Sequence, residues 1–126
     1  MALEEDWIFV PLAETPLLGE PQVYACAGCK AHLTAEGKVL SKEFTTRNGR
    51  GMLVTSVINV TNGAATENML LTGLHTTEDV SCVSCGAVVG WKYKDAHEPA
   101  QRYKIGKFVV DMVKLVKCDW ESDEGN

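Results

Sequence analysis

Two pairs of cysteines constrain the fold of this chain more than any other feature. Cys26 and Cys29 form one C-x-x-C pair, Cys82 and Cys85 form another, and 52 residues separate the two pairs. Two thiolates at this spacing on a tight turn can face one point, and Zn²⁺ takes four such ligands in a tetrahedron. The four cysteines therefore predict one Zn(Cys)4 site, which is structural because it leaves no position for water.

The residues around the pairs support metal binding over the alternatives. Gly28 and Gly86 suit turns that need a positive φ. A thioredoxin-like redox pair is the main alternative, but no β-α-β pattern surrounds either pair. Because four sulfurs complete the shell, His32 is predicted to pack beside the site or to support a ligand rather than to bind the ion. Cys118 is predicted to be an ordinary thiol.

Length and charge narrow the function classes. The chain has 126 residues, enough for one domain, and 12 basic against 17 acidic residues give a formal charge of −5. That balance argues against a surface that contacts nucleic-acid phosphates. No segment approaches the ~20 apolar residues of a membrane span. The acidic N-terminal residues are unlike a signal peptide, so we expect an intracellular protein, whose reduced cysteines form no disulfide framework.

The segments between and after the cysteine pairs are rich in β-branched residues, which favours strands. The predicted strands are Met52–Val60, Asn68–Thr72, Leu74–Ser81, Ala87–Tyr93 and Lys107–Lys117. Asn48-Gly49 and Asn62-Gly63 are predicted turns. The prediction is a mostly β, antiparallel domain pinned by zinc.

Composition divides the chain into three parts. Prolines and glycine punctuate residues 1–21, which are predicted to form an N-terminal arm. Residues 22–117 form the predicted zinc-binding domain, and residues 118–126 form an acidic tail. A group of basic side chains in the last third is predicted to be a solvated face. Its members are Lys92, Lys94, Arg102, Lys104 and Lys107.

Several segments resemble the Yippee-like family, in the same order along the chain. They are YACAGCKAHL at 24–33, LSKEF at 40–44, GRGMLVTSVINV at 49–60, LLTGLH at 70–75, CVSCGAVVGWKY at 82–93 and QRYKIGKFVV at 101–110. The resemblance implies a β-tent, in which two sheets meet at an angle over one zinc, as in Mis18, the cereblon ligand-binding domain and methionine sulfoxide reductase B. It also implies a non-enzymatic module of the nucleus or cytoplasm, and association with a ubiquitin ligase of the GID/CTLH type.

A group of aromatic and amide side chains is predicted to gather on one sheet as a ligand pocket. Its members are Phe44, Asn59, His75, Trp91 and Tyr93. In the related cereblon domain, the tryptophan of the matching Gly-Trp-Lys segment lines an aromatic cage, whereas this chain has no other tryptophan at the matching cage positions. Trp91 and Tyr93, two residues apart, would share one strand face. The alternatives are core packing for these two side chains and a structural role for His75.

The predicted function is therefore a zinc-binding adaptor or binding module, because no catalytic constellation is visible. Its expected partners are proteins such as ubiquitin-ligase subunits, and a small ligand or peptide end in the pocket, with no nucleic acid or membrane. One alternative is a methionine sulfoxide reductase-like enzyme, for which only Cys118 remains, beside acidic residues that disfavour a thiolate. The other is a self-associating scaffold without a ligand pocket, in which Leu12, Leu17 and Leu18 of the arm dock or cover the sheet.

Overall fold

The computed structural model describes residues 22–119, which form two antiparallel sheets. The strands are β1 (Gln22–Cys26), β2 (His32–Ala35), β3 (Val39–Thr46), β4 (Gly49–Val54), β5 (Val60–Leu70), β6 (Gly73–Cys82), β7 (Val88–Ala96), β8 (Phe108–Asp111) and β9 (Leu115–Asp119). Short 3-10 segments span Glu36–Lys38, Pro99–Lys104 and Met112–Lys114. Within the described range, none of the helical segments is long and apolar enough to cross a membrane. The predicted N-terminal arm lies outside the described residues.

The two sheets differ in size, and the chain crosses from one to the other at 3-10 turns. The small sheet has the order β2-β1-β9, and the large sheet has the order β3-β4-β8-β7-β6-β5. The chain passes to the large sheet after Glu36–Lys38 and returns to the small sheet through Met112–Lys114. The strand pairs are antiparallel. The predicted mostly β architecture of two antiparallel sheets is therefore confirmed.

The main hydrophobic core lies between the two sheets. The small sheet contributes Tyr24 and Leu33, and the large sheet contributes aliphatic side chains from four strands, namely Met52, Val54, Val80, Val89 and Val110. Burying one such large apolar side chain stabilises the fold by roughly 1.5–3 kcal/mol. Because two cysteines of the metal cluster, Cys26 and Cys82, belong to the same core, the metal site and the core form one structural unit.

The opposite face of the large sheet carries a second apolar cluster. Leu53 and Val109 alternate with the core residues of β4 and β8, because successive side chains of a strand point to opposite faces. Tyr93 is buried with them, and Phe44, Leu70 and Trp91 pack against the group. The centre of the large sheet is therefore covered on both faces.

The prediction of one strand over Met52–Val60 is wrong beyond Val54. The chain leaves the sheet at residues 55–59 and re-enters it as β5. The predicted turn at Asn62-Gly63 is also wrong, because both residues lie within β5, where the pairing register with β6 shifts between Asn62 and Ala65. A glycine within a strand often marks such a bulge. The hairpin turn comes later, at Leu71-Thr72.

The predicted strand Lys107–Lys117 is two strands in different sheets, because the turn at Met112–Lys114 separates β8 from β9. The valines of β8 lie between β4 and β7, whereas the valine of β9 pairs with β1. Strand β9 continues through Asp119 by pairing with β1, so it passes the predicted domain boundary at residue 117. By contrast, β6 and β7 match the predicted strands closely. The turn predicted at Asn48-Gly49 lies one residue earlier, at Arg47-Asn48, and joins β3 to β4.

Substitution of Gly90 tests the close pairing of the central strands. Gly90 pairs with Val80 on one side and Val110 on the other, and a Cβ at this position would overlap the backbone carbonyl of Val109. We expect Gly90→Ala to lower the free energy of unfolding by about 3 kcal/mol or more, measured by urea denaturation of the zinc-loaded protein.

Gly63→Ala is the matched control, because a Cβ there meets only ordinary contacts at 3.6 and 3.9 Å. We expect its effect to stay within about 1 kcal/mol. Equal urea midpoints for Gly90→Ala and the wild type would show that β7 and β8 are not paired at this distance.

Candidate metal centre and candidate binding cavity

The structure brings the four predicted ligands together. Cys26 ends β1 and Cys82 ends β6, whereas Cys29 and Cys85 lie in the turns that follow. Their four Sγ atoms all lie within 4.8 Å of one another. The Sγ atoms of Cys26 and Cys85 are 3.6 Å apart, and those of Cys29 and Cys82 are 3.4 Å apart. Sulfurs at ~2.3 Å from one tetrahedral zinc are ~3.8 Å apart. The four cysteines therefore fit a zinc ion.

The two cysteine turns have the same backbone hydrogen bonds. The N–H of Lys30 donates to the Cys26 carbonyl at 2.7 Å, and the N–H of Gly86 donates to the Cys82 carbonyl at 2.8 Å. The N–H of Cys26 donates to the Ala31 carbonyl, and the N–H of Cys82 donates to the Ala87 carbonyl, both at 2.8 Å. Lys30 and Gly86 have φ values of 69° and 80°. The positive φ expected at Gly86 is confirmed, whereas in the first turn Lys30, and not Gly28, adopts it.

The protein surroundings act on the cysteines differently when no ion is bound. Burial raises the pKa of Cys29 to about 12. Burial also opposes ionisation of Cys26, but N–H groups of Cys29 and Gly28 outweigh it and lower the pKa. The Ala87 N–H favours the Cys85 thiolate, yet burial and the neighbouring sulfurs raise its pKa overall. Four adjacent thiolates need a cation, because like charges at this distance suppress one another's ionisation.

Asn59 lies at this end of the molecule. Its side-chain Nδ2 donates to the backbone carbonyl of His32 at 2.8 Å. Its backbone carbonyl accepts the Val83 N–H at 2.9 Å. Asn59 therefore links the segment after the first cysteine pair to the second pair. The prediction that it joins the aromatic group is wrong, because the chain turns away from the sheet at residues 55–59. His32 begins β2 and Cys118 lies on β9, and neither belongs to the ligand cluster.

The other face of the large sheet lines a cavity of about 1290 Å³ that includes three of the predicted pocket residues: Phe44, Trp91 and Tyr93. The rings of Trp91 and Tyr93 meet edge to face, with centroids 6.2 Å apart. His75 does not line the cavity. It is buried against Tyr93, with ring centroids 5.2 Å apart, and its Nδ1 contacts the Gly73 carbonyl at 2.8 Å.

Lys104 is the cavity residue that sequence reasoning missed. It was predicted on a solvated face, but it is only 3% exposed. Its Nζ donates to the Thr72 hydroxyl at 2.9 Å and lies 5.2 to 5.9 Å from the ring centroids of Phe44, Tyr93 and Tyr103. Burial lowers its pKa. Desolvating an ammonium costs several kcal/mol, which cation–π contacts of about 0.5–2 kcal/mol each partly offset.

The sequence held no local signal for this position. Lys104 ends the segment Pro99–Lys104 between two other basic residues, Arg102 and Lys107, which are exposed and half-buried. Only the folding of that segment against β7 and the β5–β6 turn encloses its side chain. Of the three basic residues Arg102, Lys104 and Lys107, only Lys104 is therefore buried.

Replacement of one clustered cysteine tests the metal centre. We expect Cys82→Ser to lose bound zinc and cooperative unfolding, because three sulfurs would leave the ion incompletely held and the two distant segments unjoined. Zinc content by elemental analysis and thermal unfolding by circular dichroism measure both effects.

Cys118→Ser is the control, because Cys118 lies outside the cluster. We expect it to retain one zinc and a melting temperature close to that of the wild type. A soluble Cys82→Ser protein that melts cooperatively with its zinc retained would exclude the four-sulfur site.

The thiol pKa values predict how zinc affinity depends on pH. Because the pKa of Cys29 is about 12 without metal, this thiol is protonated at neutral pH and must release its proton when it binds the ion. Affinity should therefore rise with pH, by about tenfold per pH unit for each proton released. If the metal-free chain is unfolded, its thiols have an ordinary pKa of about 8.5, and zinc affinity still rises with pH because these thiols also release protons on binding.

Calorimetric titration of the metal-free protein with zinc, in two buffers of different ionisation enthalpy, counts the released protons. Binding that releases no protons, with an affinity independent of pH between 6 and about 8, would mean that thiolates are not the ligands.

Comparisons with known proteins agree with this geometry. The family described as Yippee zinc-binding/DNA-binding/Mis18, centromere assembly, matches residues 22–126. A yippee-like protein of Arabidopsis thaliana is 43% identical over 100 residues, which cover 79% of this chain and 94% of that protein. The protein yippee-like 4 of Homo sapiens is 44% identical over 96 residues, which cover 76% of each chain.

A solved structure shows the same fold. The crystal structure of the Mis18 'Yippee-like' domain matches with a TM-score of 0.63 and 18% identity, over 79% of this chain and 97% of that chain. The family match covers all the described strands and all four clustered cysteines. With its two sheets and its four-cysteine cluster, the chain belongs to the Yippee-Mis18 family.

Proposed function

We propose that this protein is a non-enzymatic intracellular adaptor. One structural zinc ion holds its two sheets together, and the aromatic cavity on the far side of the large sheet receives a peptide segment of a protein partner. The observation that carries the proposal is the cavity of about 1290 Å³ lined by Phe44, Trp91 and Tyr93. Aromatic side chains in a concave site are typical anchors for a bound peptide.

The cysteine geometry supports a structural role for zinc. Four sulfurs complete a tetrahedral shell and leave no position for a substrate or an activated water. The ion would join the end of β1 to the end of β6, which belong to different sheets. Thiolate ligands also need a reducing compartment, which favours the nucleus or the cytoplasm.

The surface of the cavity supports binding over catalysis. A methionine sulfoxide reductase needs a reactive thiolate where its substrate binds, and the residues that line this cavity include no cysteine. At the rim, Met69 and Leu71 are 74% and 88% exposed. Exposed apolar side chains beside a cavity are typical of surfaces that contact a partner.

The proposed partner is a protein and not a nucleic acid. Although the family description includes DNA binding, the formal charge of this chain is −5, and phosphate-binding surfaces need an excess of basic residues. By its resemblance to Yippee-like proteins, we propose a ubiquitin ligase of the GID/CTLH type as the assembly in which the adaptor acts, as a subunit or substrate-recognition factor.

Self-association is a second candidate function, and strand β5 favours it. This strand forms one edge of the large sheet, and its residues 61–69 are exposed. A long exposed edge can pair with another chain, and β5 lacks the lysines and prolines that commonly prevent such pairing. A scaffold of this kind would need no ligand in the cavity.

Tryptophan fluorescence tests the proposed peptide-binding role. We expect short peptides or cyclic imides added to the zinc-loaded protein to change the emission of Trp91 saturably, because a ligand in the cavity would contact its indole. The other tryptophans, Trp7 and Trp120, lie outside the described residues, so Trp91→Phe is the control that isolates the signal.

The change should disappear in Trp91→Phe while zinc content and melting temperature stay the same. A zinc-loaded wild-type protein that responds to no peptide and no imide would contradict a ligand-binding cavity. That outcome would favour a scaffold that acts through the β5 edge or the outer surface.

A further inference from the structure

Lys104 places a positive charge in the cavity wall without a carboxylate partner. Its side chain is 3% exposed, and no carboxylate oxygen of residues 22–118 lies within 4.0 Å of its Nζ. Three acidic residues also line the cavity, Glu43, Asp79 and Asp111, and none of them forms an ion pair with Lys104. Glu43 pairs with Arg50 at 3.5 Å, and Asp111 accepts hydrogen bonds from Thr46 and Asn48.

Two hydrogen-bond donors of the cavity wall have capacity to spare. A lysine ammonium has three N–H donors, and Lys104 uses one of them on the Thr72 hydroxyl. The Trp91 Nε1 is buried without a hydrogen-bond acceptor. Burial raises the pKa of the neighbouring Tyr93 phenol, and the Trp91 side chain lowers it to a smaller extent. An anion with two oxygen acceptors would complement these donors.

The rim indicates what is attached to that anion. Met69 and Leu71 are strongly exposed, Tyr103 is 56% exposed, and all three line the same cavity. They would contact apolar side chains beside the charged group. Because Asn68, Met69 and Leu70 of the edge strand β5 also line the cavity, an extended peptide could pair its backbone with β5 while its end enters the cavity.

We propose that Lys104 is the carboxylate-binding residue of this cavity, and that the ligand is the C-terminus of a partner protein with apolar final residues. The two carboxylate oxygens would take the spare donors of Lys104 and the Trp91 indole N–H. The apolar side chains would lie against the rim. The C-terminal carboxylate suits an enclosed lysine because it is the end of the chain, so nothing has to continue beyond it. This inference rests on the proposed function, because it assigns which part of a peptide the cavity holds.

Two pools of fluorescein-labelled hexapeptides test the inference on the zinc-loaded, full-length protein. Both pools have random Leu, Phe, Val and Met at the last three positions, and one ends in a free carboxylate whereas the other ends in an amide. We expect the carboxylate pool to bind about tenfold more tightly or better, measured by fluorescence anisotropy, because a charge-assisted hydrogen bond to lysine is lost in the amide.

Lys104→Met should abolish the preference for the carboxylate pool, so that the two pools bind this variant equally. Lys92→Met is the matched control, because Lys92 also lies over an aromatic ring, 5.5 Å from the Phe108 centroid, but does not line the cavity. It should keep the full preference for the carboxylate. Both variants should retain the zinc content of the wild type, and Lys104→Met should melt no lower than the wild type because an apolar side chain of similar length fills the same space.

The outcomes separate the inference from the proposed function. Equal binding of the two pools to the wild type would overturn the carboxylate assignment and leave a peptide-binding cavity, and this comparison needs no variant. A third pool, amidated but with Asp at the fifth position, should bind like the amide pool; binding as tight as the carboxylate pool would overturn the assignment to a chain end. Binding of no pool would overturn both proposals.

Discussion

The convergence of four sulfur atoms is the contact on which the rest of the structure depends. Cys26 and Cys29 end a strand of the small sheet, and Cys82 and Cys85 end a strand of the large sheet, so the cluster fixes one sheet against the other. The main core forms around it, because Cys26 and Cys82 are themselves core residues. An ion that compensates the four thiolates joins segments that are 52 residues apart.

The large sheet separates stability from binding by using its two faces differently. Alternating side chains send Met52 and Val54 towards the metal and the small sheet, and Leu53 towards the cavity. Changes to the cavity wall can therefore leave the metal-side core intact. This division explains how a domain of this size can hold a rigid core and still present an open aromatic surface.

Lys104 has an environment that a stability requirement alone would not select. An apolar side chain of similar length would fill the same space without the cost of removing an ammonium from water. Three aromatic rings and one hydroxyl compensate part of that cost, but no carboxylate of residues 22–118 does. Proteins commonly accept such a loss of stability where a site must bind or react.

The sequence by itself determined the metal cluster, the mostly β class and strands β6 and β7, because these depend on local spacing and on residue type. Tertiary structure alone decided the breaks within the predicted segments 52–60 and 107–117. A run rich in valine has the same sequence pattern whether it forms one strand or two strands. Tertiary structure also placed Asn59 beside the segment after the first cysteine pair and buried the side chain of Lys104. Burial depends on which strands become neighbours, and the pattern of a single segment does not contain that information.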